Sequence, residues 1–196
     1  MKVGVFGGLF DPPHTGHLVV AQWIKEEFDL DKIVFVPSGN PPHKNNYAPY
    51  EVRYKMTKLA TKGNKNFIVS DIEKKIPGKT YTVEVINAIN KHNTGIYPRM
   101  MHAELFLIIG ADQWNEIDTW KDPKSLFRAC RVIVVPRFDY AIRKMPPLYQ
   151  PILASRCPLI NISSTMVRKM VKKGLNIRYL VPEPVFYYIK KHKLYR

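Results

Sequence analysis

Two histidines three residues apart, His14 and His17, close a run that begins with a glycine pair: Gly7-Gly8-Leu9-Phe10-Asp11-Pro12-Pro13-His14-Thr15-Gly16-His17. At a helix start, side chains at that spacing lie on roughly one face. Both imidazoles can then point at one bound anion and stabilise charge growing on a phosphoryl group in flight. Gly7 and Gly8 let a ligand approach the main chain, and Gly16 keeps the space between the rings clear. A metal site would need a third protein ligand, and beyond Asp11 or the distant His43 the sequence offers none at a recognisable spacing, so no metal ligands are assigned. Capping or packing would account for one such histidine better than for a glycine-flanked pair.

A second stretch, Ile162-Ser163-Ser164-Thr165-Met166-Val167-Arg168, carries a complementary chemistry. Hydroxyls at a helix N-terminus cap it and supply donors to phosphate, and Arg168, one turn in, can reach back with a planar fork. Read alone, the stretch is only a good helix cap. Neither G-x-G-x-x-G nor a Walker loop occurs, which excludes a dinucleotide fingerprint and a kinase-type phosphate loop.

The elements that must position these groups alternate. Residues 2–7 read as a buried strand ending in a glycine turn, and residues 15–28 as an amphipathic helix with Leu18, Ala21, Ile24 and Phe28 on one side. Further strands are expected over 32–37, 66–70, 105–109, 131–136 and 159–162. Helices are expected over 50–61, from a Thr80 cap through Ile89, over 164–173 stopped by Gly174, and over 182–192. The pattern predicts an α/β fold, a Rossmann-like, doubly wound, mostly parallel sheet with helices on both faces. In such a sheet ligands bind beyond the carboxyl ends of the strands. Residues 138–158, rich in proline, read as a loop or a short surface helix.

With 196 residues, 45% hydrophobic and 24% charged, the chain reads as one domain over 1–196 with a helical portion from about 163, and disorder is excluded for most of it. Cys130 and Cys157 form neither a disulfide framework nor a zinc array. No signal peptide or membrane span is legible, so a cytoplasmic protein is expected. The net charge of +15 favours polyanions, and nine Lys/Arg against one Glu fall within 165–196. Solvated helix faces explain that excess. Because no RNP, KH or zinc-finger pattern occurs, neither nucleic acid nor membrane is expected as a partner, and the oligomeric state, a homo-oligomer included, stays open.

Together the histidine run and the Ser-Ser-Thr run resemble the two signatures of the nucleotidyltransferase superfamily built around HxGH and ISSTxxR motifs. Within it the sequence is similar to the bacterial nicotinate-nucleotide adenylyltransferase family over nearly its whole length, through Pro41-Pro42-His43-Lys44, Thr80-Tyr81-Thr82, Ile109-Gly110-Ala111-Asp112, Trp120 and Tyr179-Leu180-Val181-Pro182. The resemblance implies transfer of adenylyl from ATP to nicotinate mononucleotide, in NAD biosynthesis, by direct in-line attack. It implies ATP contacts by Gly7, Gly8, Phe10, His14, His17, Gly110, Asp112, Ser163, Ser164, Thr165 and Arg168, with Gly110 and Asp112 at the adenosine ribose. His43, Lys44, Thr80, Tyr81, Thr82 and Trp120 would hold the mononucleotide. His14, His17, Lys44 and Arg168 would be catalytic, and Mg²⁺ would be held mainly by ATP oxygens. Helix-start donors at Thr80-Tyr81-Thr82 favour the acid over the amide acceptor. Glu84 and Val85 stand where the family often has an aspartate and a threonine. Three readings stand beside this one: a nicotinamide-mononucleotide-preferring or dual enzyme, a phosphopantetheine adenylyltransferase, and a basic nucleic-acid-binding protein.

Overall fold

The computed structural model describes residues 1–40, 46–91, 103–143, 149, 152–154 and 156–196. The β-branched and apolar runs form β1 (Lys2–Gly8), β2 (Lys32–Pro37), β3 (Phe67–Val69), β4 (Glu104–Gly110), β5 (Arg131–Val135) and β6 (Ile152–Ala154). They make one six-stranded sheet in the order β3-β2-β1-β4-β5-β6, and every pairing is parallel, where a mostly parallel sheet was expected. The sixth strand is a correction. It lies at Ile152–Ala154, inside the proline-rich stretch, whereas residues 159–162 carry no strand. The rest of residues 144–151 and residue 155 lie mostly outside the described residues.

Because side chains alternate along a strand, the sheet has two apolar faces. Val3, Val5, Val34, Val36, Leu105, Leu107, Ile109, Val132 and Val134 face one core. It is closed by α3 (Ile72–Lys75), α4 (Thr82–Lys91), α5 (Ala111–Asn115) and α6 (Pro123–Ala129). Ile33, Phe35, Phe106, Ile108, Ile133 and Val135 face the other, covered by Ala21 and Ile24 of α1 (Thr15–Glu27). A third cluster joins α2 (Tyr50–Thr61), α7 (Ser164–Lys172) and α8 (Glu183–Lys191) through Met56, Val167, Val185, Phe186 and Ile189. Of the nine basic residues in 165–196, all but Arg168 are exposed, as solvated helix faces require.

The helix expected from a Thr80 cap begins two residues later, at Thr82. Glu84 explains the shift: its Oε2 accepts the Tyr81 N–H at 3.2 Å, which makes Tyr81 the capping position. The short α3, α5 and α6 were not expected, although Asp122 caps α6 by accepting the Ser125 N–H at 3.1 Å with Pro123 following it.

The order in which strands are added to the sheet reverses at β1 and β4, which is where an open α/β sheet leaves a crevice. β1 and β4 pair as far as Phe6 beside Ile108, and each strand runs two residues further, to Gly8 and Gly110. Two glycine-ended strands therefore meet at the switch point.

Candidate active site

After β1 the main chain turns through Phe10, which takes a left-handed φ of 51°, and a cis Asp11–Pro12 peptide, and delivers His14 to the capping position of α1. His14 is buried and His17 half-buried. Their rings stack with centroids 3.6 Å apart. His17 Nδ1 accepts the His14 main-chain N–H at 3.1 Å, so a neutral His17 carries its proton on Nε2. Phe10, itself buried, packs its ring edge-on against His17 with centroids 5.0 Å apart, which leaves main-chain atoms as its means of touching a ligand. Gly16 leaves room for the stacked rings: a Cβ would stand 3.0 Å from His14 Nδ1, tighter than side chains ordinarily pack.

Burial above all, and then the Arg137 guanidinium, lower the His14 pKa from 6.5 to about 4. Burial, His14 and Arg137, in that order, hold His17 well below its ordinary range. Both rings are neutral at pH 7, and a polyphosphate beside them would restore their affinity for protons. Between pH 6.5 and about 4 the unfolded chain binds a proton that folded His14 refuses, so this group's contribution to stability is full above that window and lost as pH falls through it. His14→Gln should therefore gain roughly 3 kcal/mol relative to the parent between pH 7 and pH 4. Urea unfolding across that range checks it, and parallel stability curves would refute the depressed pKa.

The second motif docks onto the first. Ser163 caps α7, its Oγ accepting the Met166 N–H at 3.1 Å. Ser164 Oγ donates to the Pro12 carbonyl at 2.8 Å, and Arg168 Nη1 to the Asp11 carbonyl at 2.7 Å. Arg168 Nη2 donates to Thr165 Oγ1 at 3.2 Å. Thr15 is tied to the Tyr179-Leu180 turn, its N–H to the Leu180 carbonyl at 2.9 Å and its hydroxyl to the Tyr179 carbonyl at 2.9 Å. The two signatures thus form one cluster of imidazole, guanidinium, hydroxyl and helix-start N–H donors.

Across the switch point, Gly110 caps α5, and a Cβ there would stand 2.3 Å from Asp112 Oδ1 and 2.6 Å from Arg137 Nε. Arg137 lies 3.2 Å from Asp112 Oδ1. Since the same guanidinium lowers both histidine pKa values, it links the Asp112 side of the crevice with the histidine side. The sequence motifs give Arg137 no role.

A third group lies around Tyr81. Lys121 Nζ sits 4.4 Å from the Tyr81 ring centroid and 2.6 Å from Glu84 Oε1. Trp120 and Tyr81 both pack against the core that α4 and α6 close. The Tyr81 carbonyl accepts the N–H groups of Glu84 and Val85, and Glu84 takes that of Tyr81. This corrects the expected donor set: Thr82 and Val83 keep the N–H groups of the first turn that have no acceptor among the described residues. Val85, where a hydroxyl was missed, is buried in the core.

Behind Thr80 is a carboxylate that sequence reading passed over. Glu73 Oε2 accepts the Gly39 N–H at 2.6 Å and the Thr80 hydroxyl at 2.7 Å, bracing the loop after β2 against the Tyr81 turn. Burial raises its pKa, partly offset by those two hydrogen bonds. His43 and Lys44 lie outside the described residues. Among the described residues no three His, Cys, Asp or Glu gather to hold a metal ion, and no helix is long and apolar enough to cross a membrane.

The chain is similar to known proteins in sequence and in fold. A match to the cytidylyltransferase-like family covers residues 5–170. The chain is 39% identical over 196 residues to a probable nicotinate-nucleotide adenylyltransferase of Thermus thermophilus, spanning 100% of both chains. It is 40% identical over 197 residues to a probable nicotinate-nucleotide adenylyltransferase of Leifsonia xyli, covering 100% of this chain and 94% of that one. The fold matches the Plasmodium falciparum nicotinic acid mononucleotide adenylyltransferase complexed with NaAD, with a TM-score of 0.80 at 18% identity over 99% of this chain and 97% of that one. The family match over residues 5–170 and the 39% and 40% identity to these relatives over the whole chain place the chain in the nicotinate-nucleotide adenylyltransferase group of the cytidylyltransferase-like family.

Proposed function

We propose that the protein joins ATP and nicotinate mononucleotide into nicotinate adenine dinucleotide and pyrophosphate, and that the crevice between β1 and β4 is where it does so. The observation that carries this is the docking of Ser164 and Arg168 onto the Pro12 and Asp11 carbonyls, which brings two motifs distant in sequence together. The mononucleotide phosphate attacks the α-phosphorus of ATP in line; the new P–O bond forms as the bond to the β-phosphate oxygen breaks and pyrophosphate leaves. Its second pKa is about 6, so the nucleophile is already ionised and a strong general base is unnecessary.

In this reading His17 Nε2–H donates to the phosphoryl oxygens, His14 stacks behind it, and Arg168 with the first N–H groups of α7 holds the β- and γ-phosphates. Asp112 accepts the ribose hydroxyls. His43 and Lys44 meet the mononucleotide phosphate, and Thr80, Tyr81, Thr82 and Trp120 enclose the pyridine ring. ATP enters as its Mg²⁺ complex, the ion held by phosphate oxygens and water. The protein works as one domain in the cytoplasm, with no nucleic-acid partner.

The Thr82 and Val83 donors favour a carboxylate, since an amide NH₂ turned toward them leaves them unpaired at about 1–3 kcal/mol each. Nicotinate mononucleotide should therefore exceed nicotinamide mononucleotide in kcat/KM by about 10- to 1000-fold. Pyrophosphate release from ATP with each acceptor measures this. Parity, or a preference for the amide, would refute this reading of the pocket and favour the nicotinamide-mononucleotide reading.

A further inference from the structure

Asp11 is the junction of four segments, and one of them is remote from every motif. Only 1% of Asp11 is exposed. Its Oδ2 accepts the Ala48 N–H at 3.3 Å and lies 3.9 Å from Arg168 Nη1. Its Oδ1 accepts the Tyr195 hydroxyl at 2.7 Å, across 184 residues of sequence. After α8 the main chain turns back through Lys193 and Tyr195, with left-handed φ values of 51° and 65°, and Leu194 N–H closes onto the Ile189 carbonyl at 3.1 Å. Tyr195 then lies beside the α2, α7 and α8 cluster, its hydroxyl 4.0 Å from Met56 Sδ. Burial, and then the Asp11 charge, push its phenol pKa up, so it remains a donor at every working pH.

A buried carboxylate oxygen without its donor is costly, and the group turns toward whatever positive charge it can reach. For Asp11 those charges are the Arg168 guanidinium and the buried Arg53, whose Nε and Nη1 are committed to the Ala48 carbonyl at 2.8 Å and the Leu9 carbonyl at 3.0 Å. Arg53 is fully buried, whereas Arg168 is a third exposed and held only through the Asp11 carbonyl and Thr165 Oγ1, so Arg168 is the cation whose aim a displaced Asp11 carboxylate would change. We propose that Tyr195 is a positioning residue for the transfer reaction: its hydroxyl fixes the Asp11 carboxylate, and Asp11 in turn holds Arg168 aimed at the ATP polyphosphate. Tyr195 itself touches no reacting atom. The proposal rests on Arg168 binding ATP, as set out above.

Tyr195→Phe tests it, because the ring and its packing stay while only the hydroxyl goes. The expected result is a roughly tenfold loss of kcat/KM for ATP, with the mononucleotide KM within about twofold of the parent. Made in an Arg168→Ala protein, the same substitution should change kcat/KM for ATP by less than about twofold, since the group through which Tyr195 acts has gone. Equal proportional losses in both backgrounds would overturn the proposal, as would a loss spread evenly over both substrates or a lowered Tm with unchanged kinetics. If Arg168→Ala costs activity and Tyr195→Phe does not, only the Tyr195 role falls. If Arg168→Ala itself leaves ATP kinetics unchanged, the ATP reading of Arg168 falls and this proposal falls with it.

Discussion

Replacing His17 with alanine is expected to lower kcat by about 10²- to 10³-fold while the protein stays folded. His17 is half-buried, its Nδ1 is committed to the His14 main chain, and its proton is therefore on Nε2. A donor fixed in this way needs little reorganisation as charge builds on the phosphoryl oxygens, which is why its removal registers in kcat more than in substrate affinity. His17→Asn separates charge from geometry: its amide oxygen can accept the His14 N–H, but its NH₂ cannot reach as far as Nε2, so no more than partial recovery is expected. Steady-state kinetics together with near-ultraviolet circular dichroism settle the result. Parental turnover in a folded His17→Ala protein would remove His17 from the phosphate site.

Arg168→Ala should lower kcat/KM for ATP by about 10²- to 10³-fold, with a raised ATP KM and a lowered kcat. Hydrogen bonds to charged groups contribute about 1.5–3 kcal/mol each, and the substitution also takes from buried Asp11 the cation 3.9 Å away. Arg168→Lys should recover only part of the loss. One ammonium keeps the charge but cannot serve the Asp11 carbonyl and Thr165 Oγ1 as Nη1 and Nη2 do at 2.7 and 3.2 Å. Full activity of the lysine protein would reduce Arg168 to a point charge. Parental kinetics of the alanine protein would reduce the Ser-Ser-Thr stretch to a helix cap.

The strands and long helices were legible because one dominant force shaped them. Residues 33–37 are apolar throughout, as a strand buried on both faces must be, and the helix expected over 50–61 ends where α2 ends. The sixth strand was not. Residues 152–154 are few and lie in a proline-rich stretch, and their membership of the sheet comes from pairing with β5, which is a tertiary fact. The α6 helix carried a readable signal in Asp122, Pro123 and Ser125, but seven residues between two turns give too short a period to stand out.

The site divides in the same way. His14, His17, Ser163, Ser164 and Arg168 announce themselves by residue type and spacing along the sequence. Arg137, Glu73 and Tyr195 do not, because what makes each of them matter is a partner far away: Asp112, Thr80 and Asp11. Asp11 was visible only as one letter of a motif and as a weak metal-ligand candidate. Its burial and its place between Ala48, Arg168 and Tyr195 appear only in three dimensions.

The ties that complete the histidine loop come from residues 164, 168, 180 and 195, whereas the sheet needs nothing beyond residue 154. During synthesis the sheet can therefore assemble from its N-terminal side while Pro12, Asp11 and Thr15 still wait for their partners. Contacts of such sequence separation close late, because the intervening chain must be ordered first. Until residues 164–195 have been made, a nascent chain would hold the sheet without the ties that complete the histidine loop, so the activity proposed for that crevice is expected only once those residues are in place.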